Sequence, residues 1–479
     1  MTEARRRTDA APAPQGEPPP QPILGWDRAQ PERRSIGFHA AAPEVRTTAH
    51  EPVPDPGEGH MMTIAPTGAG KGRSVIIPTL LSYPGPVIVI DPKGENAQVT
   101  ARRRREMGQD VYILDPFAVL GEDSASFNLL DTINPDAPDA YEQAMSLAEL
   151  MAPGRAVPDP FWENSARSLI TTLILHVASV RPPVLRNLSE VAYLLNQSME
   201  DMAFTIKEMK QSKSELVRRQ AGGLEATEAK VWASILSTAR AGIRVFNGET
   251  FGATSSRTDF PLDGIVRGDP ISLYLVLPPD KLDTHGPLLR LWIGTLLDQL
   301  AQRRHRVEQP TLFILDEAAQ LGSLEQLRRA ITLMRGYGVR TWSFWQDLSQ
   351  LQRLYPDWET LYNNTRFIQT FGATTHRLAE SLAHLLRLPA DIDPLRLQPG
   401  RLILAEAGRN PRVIDKPDYL NDAPFRGLYD DNDFYQPMPP RTERNRRDRP
   451  EAIQQPGNMA DDPDLELAIG AQPDPSDRS

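Results

Sequence analysis

The stretch from Met61 to Ser74 constrains this chain more than any other. Four residues able to form a strand, Met61 to Ile64, break into a glycine-rich turn that carries a single lysine into the start of a helix. The first amides of such a helix have no intrahelical partner, and with the helix dipole they favour an anion placed above the strand end. Gly68 and Gly70 permit backbone dihedrals that bring amides within reach of phosphate oxygens, and Lys71 can contact β- and γ-phosphates as a point charge. The stretch therefore predicts a phosphate cradle built from Pro66, Thr67, Gly68, Ala69, Gly70, Lys71, Gly72 and Arg73. Two positions depart from the general pattern G-x-x-x-x-G-K-[ST]. Ala65 replaces the first glycine, and Gly72 replaces the hydroxyl that ordinarily meets Mg2+, which leaves Ser74 or a water for that role.

A second stretch gives the cradle its context. Thr311 to Leu315 is an apolar run that ends in two acids, Asp316 and Glu317. In sheets that hydrolyse ATP, a strand beside the phosphate loop ends in an Asp that holds Mg2+ through water, followed by a Glu that polarises the attacking water. Asp316 and Glu317 fit those roles; the competing reading is an acidic helix start, where both residues favour the dipole. Gln346, just beyond another apolar run, Gly338 to Phe344, is placed to sense a γ-phosphate, against the plain alternative of an ordinary helix turn.

The chain of 479 residues exceeds one ordinary domain, so two or three folded units with tails are expected. It contains no cysteine, which excludes disulfides, thiolate catalysis and Cys-ligated zinc. The eight histidines never occur as H-x-x-x-H, so no structural transition metal is predicted. A formal net charge of −10 argues against coating nucleic acid by bulk charge, and any DNA site must be local. No apolar run approaches the roughly 20 residues of a bilayer-spanning helix, and the first residues lack the apolar core of a signal peptide. The expectation is a soluble chain with no transmembrane segment.

Residues 1–57 are rich in Pro, Ala, Arg and Glu and are expected to be a disordered arm, with the patch Ile23 to Trp26 able to pack on the body or on a neighbour. Residues 58–127 alternate strand and helix: a helix that Pro78 should kink, a buried strand around Val87 to Ile90, a helix from Ala97 to Met107 and a strand from Asp110 to Asp115. Arg102 to Arg105 spread around that helix, as a solvated surface or as phosphate contacts. From 128 to 250 the period becomes helical and strand signals vanish, which predicts an inserted all-α domain. Its Phe161, Trp162 and Trp232 are read as core, and Lys207, Lys210, Lys213, Arg218 and Arg219 as a basic bias able to meet DNA. Residues 251–428 resume the α/β pattern, with strands near 271–277, 311–315, 338–344, 366–371 and 401–405 and a helix from Pro287 to Arg304. Residues 429–479 are polar and Pro-rich, with a basic cluster at 441–449 and an acidic-apolar segment at 461–469, and are expected to be a disordered tail.

Several blocks occur in one order: Ala65 to Gly72, Val89 to Asn96, Phe161 to Arg167, Leu315 to Gly322 and Trp345 to Leu351. Together they resemble the signature blocks of type IV secretion coupling proteins, the TraG-like conjugation ATPases, across about residues 58 to 420. A Lys-Gly ending of the phosphate loop is common in that family. The resemblance implies a RecA-like P-loop NTPase sheet with an inserted all-α domain, ATP and Mg2+ as cofactors, and assembly as a homo-hexamer at the cytoplasmic mouth of a secretion channel. It further implies that Arg335 reaches a neighbour's nucleotide in trans, and that Gln346 links the nucleotide to DNA-facing parts of the ring. The partners it implies are single- or double-stranded DNA, a relaxase or secreted protein substrate, and channel components. The family's two leading transmembrane helices are replaced here by the Pro-rich arm, so the expected location is cytoplasmic, docked at the inner membrane by contacts with other chains. Two other readings stay open at this point: a HerA-like DNA-pumping ring unconnected to secretion, and a nucleotide-gated substrate adaptor with little hydrolysis.

Overall fold

The computed structural model describes residues 21–28, 50–121, 124–152, 160–225 and 227–432. Its frame is one sheet of eleven strands: β1 (Ile23–Arg28), β2 (His50–Pro54), β3 (His60–Ile64), β4 (Val87–Ile90), β5 (Asp110–Leu114), β6 (Ile271–Leu275), β7 (Thr311–Leu315), β8 (Val339–Trp345), β9 (Thr365–Thr370), β10 (Arg401–Glu406) and β11 (Arg412–Asp415). Across the sheet they run in the order β2-β1-β11-β10-β9-β3-β8-β7-β4-β6-β5. The block from β9 to β5 is parallel throughout, and β10, β11, β1 and β2 extend it with antiparallel pairings. This is the RecA-type arrangement expected for a P-loop sheet.

The parallel strands read as unbroken apolar runs because both faces are covered, and the pleat divides their residues with a period of two. Met62, Ile64, Ile88, Ile90, Phe313 and Leu315 face one core. Met61, Val87, Val89, Leu312 and Ile314 face the other, where they meet Ile76, Leu80 and Ala97 of the helices that follow β3 and β4.

The first core is shared with the long helical region between β5 and β6, whose helices include Ala140–Met151, Phe161–Val180, Leu188–Asn196, Met199–Met209, Glu215–Glu225 and Ala229–Ile243. Strands are absent among its described residues, as its period predicts. It packs continuously onto the sheet instead of forming a core of its own. At Gly294, in the helix Leu282–Leu300, an added Cβ would lie 2.5 Å from the Leu150 side chain, so any larger residue there must displace that leucine.

Several expectations are corrected. The arm expected to be disordered contains β1 and β2, because Ile23, Leu24, Trp26 and Val53 are buried and Trp26 Nε1 donates to Asp422 Oδ2 at 2.7 Å. Residues 1–20 and 29–49 of that arm, and 433–479 of the tail with both segments singled out there, lie outside the described residues. The run from Lys71 to Ser82 is helical throughout, and a wider π turn over Gly72–Ile76 directly precedes the short helix Ile77–Ser82 that contains Pro78. The helix expected from Pro287 begins at Leu282 and contains that proline.

The arginine run is not one solvated surface. Arg104 is fully buried and donates to Ser272 Oγ (2.8 Å), Gly85 O (2.6 Å) and Tyr83 O, while Arg102 pairs with Asp430 (2.6 Å). Phe161 and Trp162, read as core, are 49% and 38% exposed on the first turn of their helix and stack edge to face at 5.0 Å; Trp232 is buried as expected. No helix among the described residues is long and apolar enough to cross a membrane.

Candidate functional site

The carboxyl ends of β3, β8, β7 and β4 lie side by side, since Ile64 is opposite Trp345, Leu315 opposite Ser343, and Ile90 opposite Leu315. Ligands of open parallel sheets bind at this edge. Three of these strands deliver residues singled out from the sequence to it: β3 leads to Lys71, β8 to Gln346, and β7 to Asp316 and Glu317.

The loop from Ala65 to Gly72 is fastened to β8 by Ala65 N, which donates to Trp345 O at 2.9 Å. Gly68 and Gly70 have φ of 79° and 89°, and an added Cβ would meet nothing nearer than Ser74 Oγ at 3.7 Å from Gly70. Glycine is therefore required by the backbone and not by space. Thr67 and Gly68 are exposed at the tip, Pro66, Ala69, Gly70, Gly72 and Arg73 are half-buried, and Lys71 is buried. A Cβ at Gly72 would meet nothing within 4 Å, so a hydroxyl there is not excluded sterically.

Lys71 Nζ lies 3.4 Å from both Ala65 O and Glu317 Oε1. The other oxygen of Glu317, Oε2, accepts from Gln346 Nε2 at 2.9 Å. Glu317 is thus held between the loop lysine and the glutamine. It sits in the left-handed region with φ 58° and ψ 51°, which is strained for a side chain of this size.

Beside it, Asp316 Oδ1 is buried with no hydrogen-bond partner. Burial holds the Asp316 carboxyl up at about 6; the Lys71 charge pulls it down and the Glu317 charge pushes it up. Asp91, at the end of β4, is buried too. Its Oδ2 accepts from Ala97 N at 2.8 Å and its Oδ1 from Asn96 Nδ2 at 3.3 Å, yet burial, with the Asp316 charge adding to it, raises its carboxyl to about 7. Asp91 was not singled out individually from the sequence, although it lies in one of the blocks that carry the family resemblance. Among the described residues no group of three or more His, Asp or Glu could hold a metal ion by itself, so a cation between these acids would complete its shell from another molecule.

Arg335 is not brought to this edge. It precedes β8, whose seven residues at about 3.3 Å each set it roughly 20 Å from Gln346, and its Nη2 pairs with Glu58 Oε2 at 2.8 Å. The basic residues of the helical region are partly answered by neighbours: Lys210 pairs with Glu225 at 2.6 Å and Arg219 with Glu215 at 2.8 Å.

Residues 43–386 match the family model described as "Type IV secretory system Conjugative DNA transfer". The chain is 26% identical over 387 residues to the conjugal transfer protein TraG of Escherichia coli, covering 75% of this chain and 60% of that one. It is 28% identical over 322 residues to the protein VirD4 of Rhizobium radiobacter, covering 66% of this chain and 46% of the relative. It spans about half the length of the curated relatives it matches. The solved structure of the plasmid coupling protein TrwB in complex with the non-hydrolysable ATP analogue ADPNP overlays with a TM-score of 0.61 at 15% identity, covering 84% of this chain and 96% of that one, a likeness of fold. TrwB in complex with ADP and Mg2+ overlays with a TM-score of 0.59 at the same identity. With the family model matched over most of its length, the chain belongs to the type IV secretory system conjugative DNA transfer family.

Proposed function

We propose that this protein is an ATP-driven coupling protein, which hydrolyses ATP to deliver relaxase-bound single-stranded DNA, or a protein substrate, to a type IV secretion channel. The observation that carries the reading is the linked set Lys71, Glu317 and Gln346 at the ends of three adjacent strands, with the unpartnered oxygen of Asp316 beside it. The site fits a magnesium nucleotide on its own chemistry: a glycine-shaped loop and a buried lysine suit phosphate, and a buried carboxylate oxygen with no partner suits a hydrated divalent cation. When bound, Mg2+ would neutralise charge on the β- and γ-phosphates.

In this reading Lys71, with the amides from Gly68 to Arg73, holds the phosphates, and Asp316 holds the metal's water. Glu317 orients the attacking water and accepts its proton as the bond from the γ-phosphorus to the leaving β-phosphate oxygen breaks. Gln346, bonded to Glu317, fixes that carboxylate and couples it to the end of β8. Arg335, at the far end of the same strand, cannot reach its own subunit's loop; it serves a nucleotide on a neighbouring copy, as in a closed ring. The relaxase, DNA and channel partners, and a location at the cytoplasmic face of the inner membrane, follow from the family reading, which the TraG and VirD4 names support.

The test is ATP turnover with and without single-stranded DNA, run across protein concentration. Wild-type turnover should rise with DNA and with assembly, and Glu317→Gln should keep nucleotide binding while losing turnover by at least ~100-fold. A flat, near-zero wild-type rate would overturn the motor reading, and unchanged turnover in Glu317→Gln would remove that residue from the chemistry.

A further inference from the structure

On the side of the loop away from Glu317, a second lysine meets it. Lys416 follows β11 directly, its backbone N–H donates to Gly400 O at 2.7 Å, and its Nζ donates to Ala69 O at 3.1 Å. The ammonium lies 4.5 Å from the centre of the Phe371 ring, which follows β9, and the side chain is half-buried. The nearby carboxylate, Asp418, is taken. It accepts from Arg73 Nε and Nη2 at 2.7 and 2.6 Å, from Asn421 Nδ2 at 2.6 Å and from Leu420 N at 3.2 Å. Among the described residues no carboxylate lies within ion-pair distance of Lys416. Burial, with the Arg73 charge adding to it, lowers its pKa against a smaller opposing pull from the Asp418 charge.

A half-buried ammonium answered by one carbonyl and one ring is an incompletely compensated cation. The strand order places it. β3, which leads into the loop, has β8 and β7 on one side and β9, β10 and β11 on the other, so Glu317 and Lys416 flank the loop from opposite sides. A triphosphate with its hydrolysed end towards Glu317 directs its diphosphate and nucleoside portion towards Lys416 and Phe371.

We propose that Lys416 is a second phosphate-binding lysine, contacting the diphosphate portion of a nucleoside di- or triphosphate from the β11 side of the loop while Phe371 steadies its ammonium. The inference rests on the nucleotide reading above and extends it with a contact common to ATP and ADP. It differs in kind from Lys71: Lys71 adjoins the glutamate that acts on water, and Lys416 adjoins the tip of the loop.

The experiment is calorimetric titration of the full chain with ADP and with a non-hydrolysable ATP analogue, alongside steady-state ATP turnover. Lys416→Gln can still donate to Ala69 O but has no charge. It should weaken both nucleotides by about tenfold, the worth of one charge-assisted hydrogen bond, and raise KM with kcat held within about twofold. Its Kd should also depend less on ionic strength, and Lys416→Arg should restore most of the affinity. A merely structural pin on Ala69 would leave the salt dependence unmoved. A second measurement needs no variant: amine acetylation of Lys416 in the wild type should be suppressed by ADP and not by adenosine. Unchanged ADP affinity in Lys416→Gln, or acetylation indifferent to ADP, overturns the proposal while leaving the nucleotide reading intact. A wild-type chain that binds neither nucleotide overturns both.

Discussion

Asp316→Asn should make the nucleotide-free protein more stable, and only above a definable pH. The Asp316 carboxyl is held up at about 6, against 3.8 for an ordinary aspartate, chiefly by burial. The sign follows from linkage. Between about pH 4 and 6 the folded chain retains a proton that the unfolded chain has released, so stability falls as pH rises through that window and is flat above it. About two units at ~1.4 kcal/mol each put the full penalty on the order of 3 kcal/mol at pH 7.5. The substitution removes that charge, and it also relieves Asp91, whose carboxyl is raised further by Asp316. Thermal unfolding in EDTA without nucleotide should therefore show Asp316→Asn melting a few degrees above wild type at pH 7.5, with the gap closing towards pH 4.5. The same variant should lose magnesium-dependent nucleotide binding. Equal melting at pH 7.5, or a gap independent of pH, would show that the carboxylate is not the charged, poorly solvated group this argument requires.

The other two predictions concern the far strand end and the layer contact. Arg335→Ala should lower turnover by about 10³-fold yet recover part of it when mixed with Lys71→Ala subunits, because a mixed interface restores one intact site; absence of recovery at every ratio counts against a role in trans. Gly294→Val should cost about 2–3 kcal/mol in a denaturant titration, since its side chain would enter the space held by buried Leu150, and an unshifted midpoint would mean the two helices part easily.

The strand ends were legible in the sequence because each is a local pattern: an apolar run, a break, then a charged or amide residue. Asp316, Glu317, Gln346 and Lys71 each needed only their own dozen neighbours to be singled out, and the parallel sheet then placed their strand ends together. What stayed hidden depends on distant partners. β1 and β2 read as a proline-rich arm because they are short strands at one margin of the sheet whose burial of Ile23, Trp26 and Val53 comes from a surface formed far later in the chain, around Ile414 and Phe425. Arg104 looked like one of four surface arginines, and only the fold supplies the carbonyls of Tyr83 and Gly85 that let it be buried. Lys416 lies 347 residues from the carbonyl it touches and carries no local motif.

Under the proposed reading the charges at this edge also restrict the kind of ligand it suits. Asp91 and Asp316 are two buried acids on the β4 and β7 side, both held up chiefly by burial, and the Asp316 charge raises Asp91's affinity for a proton further. Lys416, with Arg73 near it, is a half-buried cation without an acid of its own, on the β11 side. A free phosphate would answer the lysines and worsen the aspartates, and a bare divalent cation would do the reverse. A magnesium nucleotide carries the cation at one end of the loop and anionic oxygens along it, so it answers both at once. The strained backbone of Glu317 stands between them, where a residue that must face bound water is worth holding in an unfavourable conformation.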